Sequence, residues 1–128
     1  MKTNSRLRLS LVWLASWVAP VHALEWEKKI IEMDAPHGQE EMRTKFDFKN
    51  TGKKLVHILE VKTSCGCTVA DASATDVAAG ETGTIYVAFT SGKRTGVQKK
   101  SIFVLTDETS EPVELLFKIN LPESTDKP

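Results

Sequence analysis

From Glu41 to Asn50 the chain places Met42, Thr44, Phe46 and Phe48 on one side of a two-residue period. Arg43, Lys45, Asp47 and Lys49 fall on the other. Successive side chains of an extended strand point to opposite faces, so this alternation predicts a half-buried strand; an amphipathic helix would need a period near 3.6. The pattern recurs. Leu55 to Thr63 is rich in β-branched and apolar residues, and Ile85, Val87 and Phe89 share a face in the run Thr84 to Phe89. Val97 to Thr106 and Val113 to Leu121 read as two more strands, and Leu24 to Met33 as a first one, with Trp26 as a core aromatic. Between them lie turn signals: Asn50-Thr51-Gly52-Lys53, where Asn and Gly tolerate positive φ; Gly80-Glu81-Thr82-Gly83; Gly92 to Gly96; and the polar loop Asp107 to Pro112. Asp71 to Ala79 reads as a loop, with a short edge strand near Thr75 to Val77. Beyond residue 23 no segment carries a sustained i, i+3, i+4 apolar stripe. Six or seven short strands, with turns at roughly ten-residue spacing, predict an all-β fold: an antiparallel immunoglobulin-like β-sandwich of about seven strands. A closed barrel is the main alternative. Phe46, Phe48, Ile85, Val87, Phe89, Val104 and Phe117 form the expected core.

The N-terminal segment follows a different grammar. Lys2, Arg6 and Arg8 make a basic start, Leu9 to Ala19 is uncharged, and Val21-His22-Ala23 ends in a small residue before the polar Leu24-Glu25. That order predicts a signal peptide over residues 1–23, cleaved after Ala23, ahead of a sandwich over 24–121 and a flexible tail over 122–128. The apolar stretch is too short to span a bilayer of about 30 Å, so no stable membrane insertion is expected after cleavage. The expected location is secreted or periplasmic. Removing three basic residues leaves 14 against 17 acidic ones, a net charge of −3 on 105 residues. One domain fits that length, and nucleic acid, which needs a basic face, is not an expected partner. Lys93-Arg94 and Lys99-Lys100 read as turn residues and the wet side of a strand.

One motif can carry chemistry. Cys65-Gly66-Cys67 holds the only two cysteines of the chain, at the end of the strand ending at Thr63. In an extended strand two such Cα atoms lie about 6.6–6.8 Å apart, the upper limit for a disulfide, so bridging them requires a kink at Gly66. A bridge closing so short a loop contributes only about 1.5 kcal/mol of chain entropy. Three readings stay open. The pair is a reducible disulfide or dithiol suited to redox exchange; or it holds a soft metal such as copper or zinc, with His37 and His57 or a second copy of the chain completing the set; or both side chains simply pack at a strand end. No cofactor is expected. His57 alternates with Val56 and Ile58 and so faces solvent, and His37 is a loop residue between Pro36 and Gly38. No nucleophile–base arrangement is visible, and the glycines at 80 and 83 precede a strand rather than a helix, so no phosphate cradle forms there. An enzyme is not expected.

The order Phe46-x-Phe48-x-Asn50-x-Gly52, then Ile58-x-x-Val61-x-x-Ser64-Cys65-Gly66-Cys67-Thr68, then Ala79-Gly80-Glu81-x-Gly83-x-Ile85-x-Val87-x-Phe89, resembles a family of exported bacterial proteins. It is the domain-of-unknown-function family 1573, marked by its Ser-Cys-Gly-Cys-Thr signature. Gly96-x-x-x-Lys100 and Ile102-x-Val104-x-Thr106 share the likeness, which covers about residues 40 to 120. The resemblance implies an immunoglobulin-like sandwich of the major-sperm-protein and cilium-associated type, and no established activity. The expected function is an exported, non-catalytic binding module that contacts another exported protein. The competing expectation is a small thiol-redox or soft-metal protein centred on Cys65 and Cys67.

Overall fold

The computed structural model describes residues 22–123. The expected signal segment therefore falls almost wholly outside the described residues, as do the last five residues of the tail. Among the described residues there is no helix. Nine strands appear in the order β1 (Leu24–Trp26), β2 (Ile30–Asp34), β3 (Glu41–Asn50), β4 (Val56–Thr63), β5 (Thr68–Ala72), β6 (Asp76–Val77), β7 (Thr82–Thr90), β8 (Gly96–Thr106) and β9 (Val113–Leu121). They build two facing sheets, β1-β3-β7-β5 and β2-β9-β8-β4-β6. The expected immunoglobulin-like sandwich is the fold of the chain.

Alternation explains the core. Met42, Phe46 and Phe48 of β3 face Ile85, Val87 and Phe89 of β7 within one sheet, and the other sheet contributes Ile102, Val104, Leu115, Phe117 and Ile119. All seven residues expected in the core are buried. Phe89 meets Phe117 edge-on across the gap between the sheets, with ring centroids 6.1 Å apart. Trp26 is only half-buried and lies against Phe48, at a centroid distance of 4.8 Å. The row continues to Gly83, the register partner of Phe48, where a Cβ would come within 2.4 Å of the Phe48 ring. A glycine is needed there because the aromatic ring occupies the space of a side chain.

Several expectations are corrected. The single first strand from Leu24 to Met33 is two strands in different sheets, separated by the polar Glu27-Lys28-Lys29. Leu24 and Trp26 turn inward from one sheet, whereas Ile31 and Met33 pack inward from the other, so the inward parity changes from even to odd across the crossing. The crossing also makes β2 run parallel to β9, with Ile30 opposite Leu116 and Asp34 opposite Asn120, so the sandwich is not purely antiparallel. The expected loop after Asp71 begins later, because Thr68–Ala72 pairs with β7 as an edge strand whose small residues Ala70 and Ala72 pack against the core. The short strand near Thr75 to Val77 is present as β6 and seats Val77 in the core.

The turn after β3 also differs in its cause. Neither Asn50 nor Gly52 has positive φ. Asn50 is wholly buried and holds the loops of one end together. Its Nδ2 donates to the carbonyls of Lys54 (2.8 Å) and Val77 (2.9 Å), and its Oδ1 accepts from the Gly52 N–H (3.0 Å). Gly52 is required by close approach, since a Cβ would lie 2.7 Å from that of Ala23. Ala23 is tied down by Thr51, whose N–H donates to its carbonyl at 2.8 Å, and by Glu108, whose Oε1 accepts its N–H at 2.8 Å.

Candidate functional site

Cys65-Gly66-Cys67 forms the crossing from β4 in one sheet to β5 in the other. The chain turns rather than extends there, which brings the two Cα atoms to 5.3 Å and joins the sulfurs in a disulfide. Hydrogen bonds hold the turn on every side. Ser64 N–H donates to the Ser101 carbonyl (2.9 Å), and Ser64 Oγ accepts the Ser101 N–H (3.1 Å). Thr63 Oγ1 lies 3.1 Å from the Cys65 carbonyl and 3.0 Å from that of Thr68, while Thr90 N–H donates to the Cys67 carbonyl at 2.9 Å. Both cysteines are half-buried, but only Cys67 packs against the hydrophobic core. The Cys67 N–H donates to Cys65 Sγ at 3.3 Å, and Cys67 Sγ lies 3.8 Å from the hydroxyl of Thr68. Gly66 is exposed, its φ is not in the left-handed region, and a Cβ there would meet nothing within 4 Å.

Lys100 departs from the expectation of a wet strand face. It shares the parity of Ile102 and Val104, is half-buried, and carries its ammonium 6.0 Å from the centre of the Phe89 ring in the opposite sheet. Its neighbour Ser101 is the residue bonded to Ser64, and Phe89 is the register partner of Thr68. The Lys100 side chain thus begins and ends beside residues that flank the Cys-Gly-Cys turn. Its inward parity with Ile102 was visible in the sequence. What the side chain reaches was not, because that depends on how the two sheets are stacked. Lys93 lies in the turn between β7 and β8, as expected, and so does Arg94, whose N–H donates to the Ser91 carbonyl.

The structure does not bring the histidines to the cysteines as a ligand set. His57 is near the start of β4 and Cys65 lies beyond its end, a separation of eight residues or about 26 Å of extended strand. Among the described residues no group of three or more His, Cys, Asp or Glu side chains is placed to hold a metal ion. His57 is exposed, and its Nδ1 lies 2.5 Å from Asp76 Oδ1 on the neighbouring β6. That hydrogen bond raises the imidazole pKa; slight burial opposes the rise, and the charges of Asp76 and Asp107 add to it. His37 lies in the exposed loop between β2 and β3.

A second feature lies on the outer face of the five-stranded sheet. Phe103 and Leu105 alternate outward along β8, and with Pro112 they line a shallow, open depression edged by Glu60 and Lys62. Leu116 lies across the Ser101–Glu114 hydrogen bond (2.7 Å) from Phe103, and its own partners across the sheet are Ser101 and Ile30. Ile30 is 58% exposed. The sequence signal was a departure from alternation: Ile102-Phe103-Val104-Leu105 is apolar on both faces.

Solved structures share the fold at low identity. A protein of unknown function from Porphyromonas gingivalis is similar over 77% of this chain, with a TM-score of 0.69 and 13% identity; the match spans 46% of that protein, somewhat under half its length. The PapD-like domain 7 of human CEP192, an ASH domain, matches with a TM-score of 0.55 and 10% identity over 83% of this chain and 89% of that one. A family 123 glycoside hydrolase from Clostridium perfringens has a TM-score of 0.62 at 9% identity, over 78% of this chain and 27% of the hydrolase. At such identities these likenesses establish the sandwich and no activity. No curated protein matches the sequence. Residues 24–121 match the family described as protein of unknown function (DUF1573), and the chain belongs to that family.

Proposed function

We propose that the protein is an exported, non-catalytic interaction module that binds another exported protein through the outer face of its five-stranded sheet. The observation that carries this reading is the apolar depression of Phe103, Leu105 and Pro112 on the solvent side of that sheet, with Leu116 and Ile30 lying beyond the Ser101–Glu114 hydrogen bond. Its border is polar, with Lys62 and Glu60 paired at 3.1 Å and Glu114 opposite Phe103. An apolar patch inside a polar rim is the usual anatomy of a protein-binding surface. Immunoglobulin-like sandwiches carry recognition on their faces and edges, an analogy at the level of the fold that agrees with this surface. Export rests on the basic, apolar and small-residue segments in their required order before Leu24.

The test is retention of a partner by tagged protein purified from the exported fraction. Wild type should retain a protein that Phe103→Asp loses, while Lys45→Asp, on the outer face of the opposite sheet, keeps it. Equal retention by all three, or none by wild type, overturns the surface assignment. Melting curves of the variants verify that each is folded.

A further inference from the structure

The binding surface leaves the Cys65–Cys67 pair unused, and this pair carries an inference that goes beyond it. A disulfide that staples a fold links elements that would otherwise separate. This one closes a three-residue ring, the least effective span for restricting an unfolded chain. The hydrogen bonds of Thr63, Ser64 and Cys67 already hold the turn to both sheets without the sulfurs. Opening the bridge therefore leaves two thiols side by side in an intact fold, which is what a reversible couple needs. Gly66 is exposed and is required neither by a left-handed backbone conformation nor by packing against the rest of the fold, and both cysteines are only half-buried.

We propose that Cys65–Cys67 is a thiol–disulfide exchange site that takes two electrons from the dithiol of a partner protein. A partner thiolate attacks Cys65 Sγ, the sulfur that is not packed on the core. A mixed disulfide forms, the Cys65–Cys67 bond breaks, and Cys67 leaves as a thiolate beside the Thr68 hydroxyl. The partner's second thiolate then attacks its own sulfur in the mixed disulfide and forms the partner's disulfide. Cys65 leaves as a thiolate that the Cys67 N–H is placed to receive. The two protons of the partner dithiol end on Cys65 and Cys67, so the partner is oxidised and this chain reduced. Lys100 is a positioning residue: its ammonium stands 6.0 Å from the centre of the Phe89 ring, the register partner of Thr68, and its positive charge on that side of the turn favours the thiolates.

The experiment uses the oxidised protein and two probes, dithiothreitol and a glutathione buffer of the kind that leaves structural disulfides oxidised. Thiols are trapped with iodoacetamide under native conditions and counted by intact mass. The pair should be reduced in both probes while the folded circular-dichroism spectrum persists. Cys65 should alkylate at least about tenfold faster than Cys67, in line with its outer position. Lys100→Met should slow trapping several-fold and Lys100→Arg should restore it, which a purely structural lysine would not require. The double variant Cys65→Ser/Cys67→Ser should keep its unfolding transition close to that of wild type. A bridge that reduces only on unfolding, or a double variant that melts far below wild type, identifies a staple and overturns the proposal. So does a trapping rate indifferent to Lys100. Because Phe103 lies on another surface, loss of partner retention in Phe103→Asp and loss of exchange here fail independently.

Discussion

Replacing Asn50 tests whether a buried amide holds one end of the sandwich together. In Asn50→Ala the Val77 carbonyl loses its donor at a buried position, which costs about 1–3 kcal/mol. The bonds involving Lys54 and Gly52 are part-buried, and water takes over some of their value, so each contributes about 0.5–1.5 kcal/mol. Together these give about 2–6 kcal/mol, with a central value near 3–4. With a urea slope of about 1–1.5 kcal/mol per molar, at the lower end for small domains, the midpoint should fall by about 2–4 M. Asn50→Asp separates hydrogen bonding from packing. It preserves shape and the acceptor for Gly52, but turns a carboxylate oxygen toward the carbonyls of Lys54 and Val77 in a site with no solvent exposure. The aspartate variant should be destabilised at least as much as the alanine variant at neutral pH. Urea unfolding followed by tryptophan fluorescence reads both. A loss below about 0.5 kcal/mol for alanine, the usual size of a surface effect, or an aspartate variant milder than alanine, would refute the reasoning.

Gly83→Ala should cost about 1–3 kcal/mol by overpacking against Phe48, although alanine is the better strand former, and Phe48→Leu in the same chain should recover part of that loss. Strict additivity of the two changes in a denaturation cycle would show that the contact is not the cause. The His57–Asp76 pair should stabilise the β4–β6 contact fully below the unfolded imidazole pKa of about 6.5, and its contribution should vanish as pH rises through the higher folded value. The melting temperature of wild type should therefore exceed that of Asp76→Asn more at about pH 6 than at about pH 9; an equal gap at both would remove the pair as its source. Cleavage after Ala23 should give an intact mass with Leu24 first. Gly52→Ala should then destabilise the uncleaved chain, where Ala23 Cβ lies 2.7 Å from the new methyl, more than the processed one. Equal effects in the two forms would show that Ala23 does not set the need for glycine.

The sandwich and most of its core were legible in the sequence because burial on one face imposes a local rule. Phe46 and Phe48, or Ile85 and Phe89, announce their face by parity alone, whatever strand lies beside them. The Cys-Gly-Cys motif was equally visible as chemistry, since no other cysteine competes for pairing. Other features depended on partners far along the chain. Leu24 to Met33 reads as one strand until the two sheets stand opposite each other and Glu27-Lys28-Lys29 is seen to cross between them, setting β2 parallel to β9. Asn50 looks like a turn residue until Val77, 27 positions away, supplies a carbonyl to its amide. Lys100 meets Phe89 only because sheet stacking lays its side chain over a ring of the opposite sheet. Periodicity is set by the geometry of a single strand and is written in consecutive residues. Pairing order, sheet crossing and the meeting of distant side chains are set by the closure of the whole core, which no short window of sequence contains.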